Sequence, residues 1–95
     1  MNTFEYDGKT YELKMTRAAA RDAEDKGLTL NTLEQKPFIA SSLLFYAALY
    51  KYKITPSKAA NMLDELLASG KIDFPELFET LTTEYVALLG LGEPE

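Results

Sequence analysis

The seventeen residues from Pro37 to Lys53, PFIASSLLFYAALYKYK, constrain this chain more than any other stretch. At about 100° per residue, a helix over them has three apolar sides. Phe38, Phe45, Leu49 and Tyr52 lie on one, Ile39, Leu43, Tyr46 and Tyr50 on the next, and Ala40, Leu44, Ala47 and Ala48 on the third. Almost no polar side remains, so such a helix must be central to the domain or shared with a partner. Pro37 suits a first helical turn, where a missing N–H is of no consequence, and Ile54-Thr55-Pro56 stops the helix. The apolar-rich run from Phe38 to Tyr50 is 13 residues and contains two serines. Crossing a bilayer takes roughly 20, so no span is expected.

What precedes this helix reads as a β-hairpin. Asp7-Gly8 fits the positive φ angles of a type I′ turn, and the resulting register sets Tyr6 opposite Lys9, Phe4 opposite Tyr11 and Asn2 opposite Leu13. Phe4, Tyr6, Tyr11 and Leu13 then share one face, and Thr3, Glu5, Thr10 and Glu12 the other. Because an isolated hairpin is marginal in water, the aromatic face must pack on something. Thr16 can cap a short helix to about Lys26, ended by Gly27, with Ala19, Ala20 and Ala23 as its apolar side. Arg21 with Asp25, and Asp22 with Lys26, have i,i+4 spacing. Leu28, Leu30 and Leu33 predict a turn tucked back on the core, with Thr29 or Asn31 able to start it.

Beyond the central stretch, Thr55 as N-cap and Pro56 at the first position open another helix. Its buried face is Ala59, Ala60, Met62, Leu63, Leu66 and Leu67, and Ser69-Gly70 ends it. Asp73 and Glu76 resemble a capping box, and Ile72 with Leu77 a hydrophobic staple. The last helix runs to about Leu89, with Phe74, Leu77, Phe78, Leu81, Tyr85 and Leu88 tracking one side. The expected fold is mainly α: one domain over 1–95, with a hairpin in 1–15, about four packed helices in 16–89 and a flexible tail in 90–95.

Composition narrows function mostly by exclusion. Fifteen acidic against 10 basic side chains give a net charge of −5, which opposes the basic patch that nucleic-acid binding requires. With neither Cys nor His in the chain, thiol nucleophiles, cysteine-ligated zinc and the side chain best suited to proton exchange near neutral pH are all absent. The N-terminus lacks the cationic start and apolar core of a secretory signal, so a cytoplasmic location is expected.

Candidate chemistry is weak throughout. Asp22, Glu24 and Asp25 spread around a helix and lack the alternating ligands of a calcium loop. Asp64-Glu65 and Glu76 with Glu79 read as solubility and capping rather than as a catalytic carboxylate pair. Ser41, Ser42, Ser57 and Ser69 have no histidine or Ser-x-x-Lys partner, and the glycines form no phosphate-cradling loop. No catalytic residue, metal ligand or cofactor is assigned. One candidate remains, a partner-binding surface of Ile39, Tyr46, Leu49, Tyr50 and Tyr52, because tyrosine suits half-wet interfaces. The competing reading is that these aromatics at helical spacing are core.

Taken together, the F-E-Y-D-G-K-T-Y-E-L hairpin, the T-R-A-A-A-R-D-A-E-D short helix, the L-L-F-Y-A-A-L central segment and the I-T-P-S-K-A-A-N-M-L-D-E-L-L helix resemble a tail assembly chaperone of long-tailed bacteriophages or prophages. The resemblance rests on size, acidity and element order over nearly the whole chain. It implies a helical, non-catalytic protein of virion morphogenesis in the bacterial host cytoplasm. Such a protein coats the apolar tape-measure protein, helps recruit tail-tube subunits, and often self-associates into a homo-oligomer. A longer product made by ribosomal frameshifting is also implied. No site residue is carried over from the family. A second expectation, from a different class, is a small acidic phage protein that inhibits a host nucleic-acid enzyme by placing carboxylates where phosphates would sit.

Overall fold

The computed structural model describes residues 3–89, so the expected tail over 90–95 and the partner proposed for Leu13 lie outside the described residues. β1 (Thr3–Tyr6) and β2 (Lys9–Glu12) form a two-stranded antiparallel sheet. Phe4 faces Tyr11 and Tyr6 faces Lys9, the expected register. The turn works because Asp7 and Gly8 both take positive φ, 54° and 77°, which matches the twist of the strands they join. Phe4 stacks on Tyr11 and tilts against Phe45, with ring centroids 5.4 and 5.5 Å apart, so the aromatic face of the hairpin rests on the helical layer.

Five helices follow: α1 (Arg17–Asp25), α2 (Leu30–Gln35), α3 (Pro37–Ala48), α4 (Pro56–Ala68) and α5 (Phe74–Leu89). Their starts follow from side-chain oxygens that accept orphan amides at N-termini. Thr16 accepts from Ala19, Thr29 from Thr32, Thr55 from Lys58 and Asp73 from Glu76. α1 buries Ala19, Ala20 and Ala23 as expected. Of its two spaced ion pairs, Asp22 with Lys26 is formed at 3.1 Å. α4 ends in a Schellman motif, in which the Lys71 amide reaches Leu66 O and the Gly70 amide reaches Leu67 O. Gly70 carries the φ of 77° that this closure needs.

α3 is the central element. It packs against α1, α2, α4 and α5, and every residue from Leu43 to Leu49 is buried. Ser41, a buried polar residue earlier in α3, turns its hydroxyl onto Phe38 O at 2.9 Å. The α-helical geometry stops at Ala48, five residues before the expected end. Leu49 N–H is shared between Phe45 O and Tyr46 O, Tyr50–Tyr52 tighten into a 3-10 turn, and Lys53 is left-handed with φ 58°. The freed Ala48 carbonyl accepts the Lys14 amide at 2.9 Å, which ties the end of the hairpin to the end of α3. That tertiary hydrogen bond meets one of the unsatisfied carbonyls at a helix end, and no local pattern announces it.

The apolar remainder of α3 is therefore an end rather than a lengthwise side. Phe38 is 78% exposed and Ile39 53%, both in the first turn. Phe38 shares a helix side with the buried Phe45, yet its ring lies 6.0 Å from that of Phe74, which in turn stacks on Phe78. Leu30, expected to tuck inward, is also exposed, while Leu28 is fully buried.

Candidate functional site

The five residues expected to form a partner surface do not come together as one. Leu49 has no exposed surface and Tyr46 only 7%. Ile39 and Tyr50 are exposed but lie at opposite ends of α3, roughly 16 Å apart along its axis at 1.5 Å per residue. Tyr46 faces inward because its hydroxyl donates to Asp22 Oδ2 and its ring lies under Lys26 Nζ. Burial, then the Asp22 hydrogen bond, raises the Tyr46 pKa, and the same bond, followed by that from Lys26, lowers the Asp22 pKa. Tyr52 is half-buried. Its hydroxyl accepts the Glu12 amide at 2.8 Å and its ring meets Tyr11 edge-on at 4.9 Å.

Tyr50 and Tyr52 thus do different work. Replacing both by Ala would not separate partner binding from folding, because Tyr52 closes one edge of the hairpin. Other tyrosines are also tied internally. Tyr85, from α5, donates to Glu24 of α1 at 2.6 Å, and Tyr6 donates to Glu65 of α4 at 2.8 Å.

A more coherent site lies elsewhere, along the outer edge of β1. An open cavity of about 620 Å3 runs between β1 and α5. Thr3, Phe4 and Glu5 form one wall, and Glu76, Leu77, Thr80, Leu81 and Glu84 of α5 the other. The loop from Gly70 to Asp73 closes one end. The α5 wall has helical spacing, with Leu77 and Leu81 one turn apart and Thr80 and Glu84 on the row beside them. Leu13, Ile72, Leu77 and Leu81 supply an apolar floor. Glu5, Asp73, Glu76 and Glu84 stand around it, against Lys71 as the one cation of the lining among the described residues.

This arrangement has the makings of a recognition groove, an apolar floor with a few polar groups that fix orientation. Four carboxylates in one cleft with low-dielectric walls concentrate negative potential there. In the sequence Glu76 reads as a capping residue, and Leu77 and Leu81 as part of one apolar side of the last helix. Both assignments hold in part, since the Glu76 amide does bond to Asp73 and Leu77 and Leu81 are buried. The signal that was available is the i,i+8 pair Glu76 and Glu84 flanking Leu77 and Leu81. The hairpin wall opposite it is some seventy positions away in the chain.

A family model described as a domain of unknown function (DUF5055) matches residues 2–91. The chain belongs to the DUF5055 family. No curated protein and no solved structure matches it. Among the described residues of this DUF5055 chain, no group of three or more acidic side chains is placed to hold a metal ion, and no helix is long and apolar enough to cross a membrane. The groove of the DUF5055 domain presents carboxylates, threonine hydroxyls and apolar carbon.

Proposed function

We propose that this chain is a non-catalytic tail assembly chaperone whose groove between β1 and α5 holds a segment of the tape-measure protein and helps recruit tail-tube subunits to it. The observation that carries the reading is the groove itself, an open cleft between β1 and α5 that combines apolar side chains with a rim of carboxylates. Apolar contact supplies most of the attraction for such a client, and the carboxylates keep the loaded complex soluble. The resemblance in element order to tail assembly chaperones supplies the identity of the client.

The test is co-expression with a tape-measure protein and with tail-tube subunits, followed by affinity purification. A soluble complex is expected. Glu5→Lys combined with Glu84→Lys, which reverses two charges of the rim without touching the floor, should reduce recovery of the client at least severalfold. A client equally soluble without this chain overturns the reading.

The four carboxylates of the groove also favour a second reading, an inhibitor of a host nucleic-acid enzyme that presents them in place of phosphates. Salt separates the two. At about 1 M ionic strength charges are screened beyond about 3 Å, so a phosphate mimic would lose its enzyme outright, while a client held mainly by apolar contact would be weakened but retained.

A further inference from the structure

We propose that the outer edge of β1 is a docking edge, which takes an extended segment of the client as a third strand in which apolar residues alternate with Lys or Arg. This deepens the groove reading above and rests on it.

The hairpin has two edges. In a two-residue hairpin the pair flanking the turn exchanges hydrogen bonds, and pairs then alternate between bonded and non-bonded. Tyr6 and Phe4 therefore bond to Lys9 and Tyr11, which turns the N–H and C=O of Glu5 and Thr3 outward on β1, and those of Thr10 and Glu12 outward on β2. The β2 edge agrees with this, since its outward Glu12 amide is the one that meets Tyr52. Among the described residues, the outward backbone groups of Glu5 have no hydrogen-bond partner. Unpaired edge groups of this kind are a template for pairing with another chain.

Open space follows β1 along its whole length. The main groove is lined by Thr3, Phe4 and Glu5 and by none of the four residues of β2. A second depression of about 360 Å3 continues past Tyr6 and Asp7 to Glu65, Leu66 and Ser69, sharing Lys71 with the first. The four residues of β1, Thr3 to Tyr6, span about 13 Å, a length that suits the addition of a short strand. Strand pairing also fixes the chemistry of the occupant. The residue opposite Glu5 shares its face, so a Lys or Arg there meets a carboxylate. Its two neighbours point the other way, towards the side of Phe4 and the floor of Leu77 and Leu81. Asp73, Glu76 and Glu84 reinforce the preference for a basic segment.

The experiment uses the full chain, labelled with 15N, and an acetylated, amidated peptide of sequence Lys-Val-Lys-Val-Lys-Val-Lys. Two further peptides carry N-methyl groups on either the odd or the even residues, and a fourth has Glu in place of Lys. The basic peptide should shift the amide signals of Thr3 to Asp7 and of Glu76 to Glu84, and slow exchange of the Glu5 amide at least about tenfold. One N-methylated peptide should lose about tenfold or more in affinity, because its methyl groups replace the donors that face β1. The other should bind within about twofold of the parent, and the Glu peptide should not bind. If the groove residues shift but both N-methylated peptides bind alike, or the Glu5 amide exchanges as before, the docking edge is wrong while the groove survives. If no groove residue shifts, the docking edge is wrong, and the groove is judged by the co-expression experiment alone.

Discussion

The two edges of the hairpin carry the same kind of exposed backbone, and the fold treats them differently at Glu12, whose amide is met, while the outward groups of Thr10, like those of Glu5, have no hydrogen-bond partner among the described residues. Along β2, the Tyr52 hydroxyl meets the Glu12 amide, Lys51 Nζ holds the Glu12 carboxylate at 2.7 Å, and Lys9 and Lys51 flank the Tyr52 ring. Just beyond, the Lys14 amide is fixed to Ala48 O. Along β1 an acid-rimmed groove stands open. Aromatic residues at helical spacing here serve internal contacts: Tyr52 meets the end of β2, and Tyr46 and Tyr85 tie α3 and α5 to α1.

The largest expected effect tests where the hairpin is seated. Phe45 is fully buried on α3 and touches Phe4, so Phe45→Ala should lower stability by about 3–5 kcal/mol, measured by urea unfolding. A loss under about 1 kcal/mol would mean that the hairpin is not anchored on α3, and both edges would then be equally free.

Next comes pH, which acts on the closed contacts. Tyr46 and Tyr85 have raised pKa values, chiefly from burial and then from their bonds to Asp22 and Glu24. Tyr6 is raised first by its bond to Glu65. Folded pKa values above the unfolded value of about 10 mean that this stabilisation is complete below about pH 10 and is lost as pH rises through the folded values. Asp22 and Glu12 are shifted the other way, by Tyr46 and Lys26 and by Lys51. Their contribution is present above about pH 4 and is lost as pH falls through the folded values. Unfolding midpoints followed across pH should fall at both extremes, and a decline that begins near pH 8 would contradict the assignment.

The smallest effects sharpen the contrast between edges. Tyr52→Phe removes one hydrogen bond to a backbone amide and should lower stability by about 0.5–1.5 kcal/mol while speeding exchange of the Glu12 amide. Glu5→Ala, on the open edge, should change stability by less than about 0.5 kcal/mol. If Glu5→Ala proved the more damaging of the two, β1 would not be the free edge.

How much of this was legible in the sequence follows from the range of the interactions involved. The hairpin register, the caps at Thr16, Thr55 and Asp73 and the alanine side of α1 were readable, because each is decided by residues within a few positions. The end of α3 was not, since it depends on Lys14, 34 residues before Ala48. The inward turn of Tyr46 and Tyr52 was hidden for the same reason, with Asp22 and Glu12 lying 24 and 40 positions away. Periodicity could count three apolar sides on α3 but could not tell that the neighbours would cover all of them except the first turn. The groove joins the first strand to the last helix and so has no signature within any single window.

Hydrogen exchange on the full chain, alone and with the proposed tape-measure client, shows which surface a client covers. Protection concentrated in residues 3–7 and 71–84 is the predicted result. Protection confined to Phe38, Ile39 and Tyr50, with β1 and α5 exchanging as in the free protein, would place the partner on α3 and contradict the account.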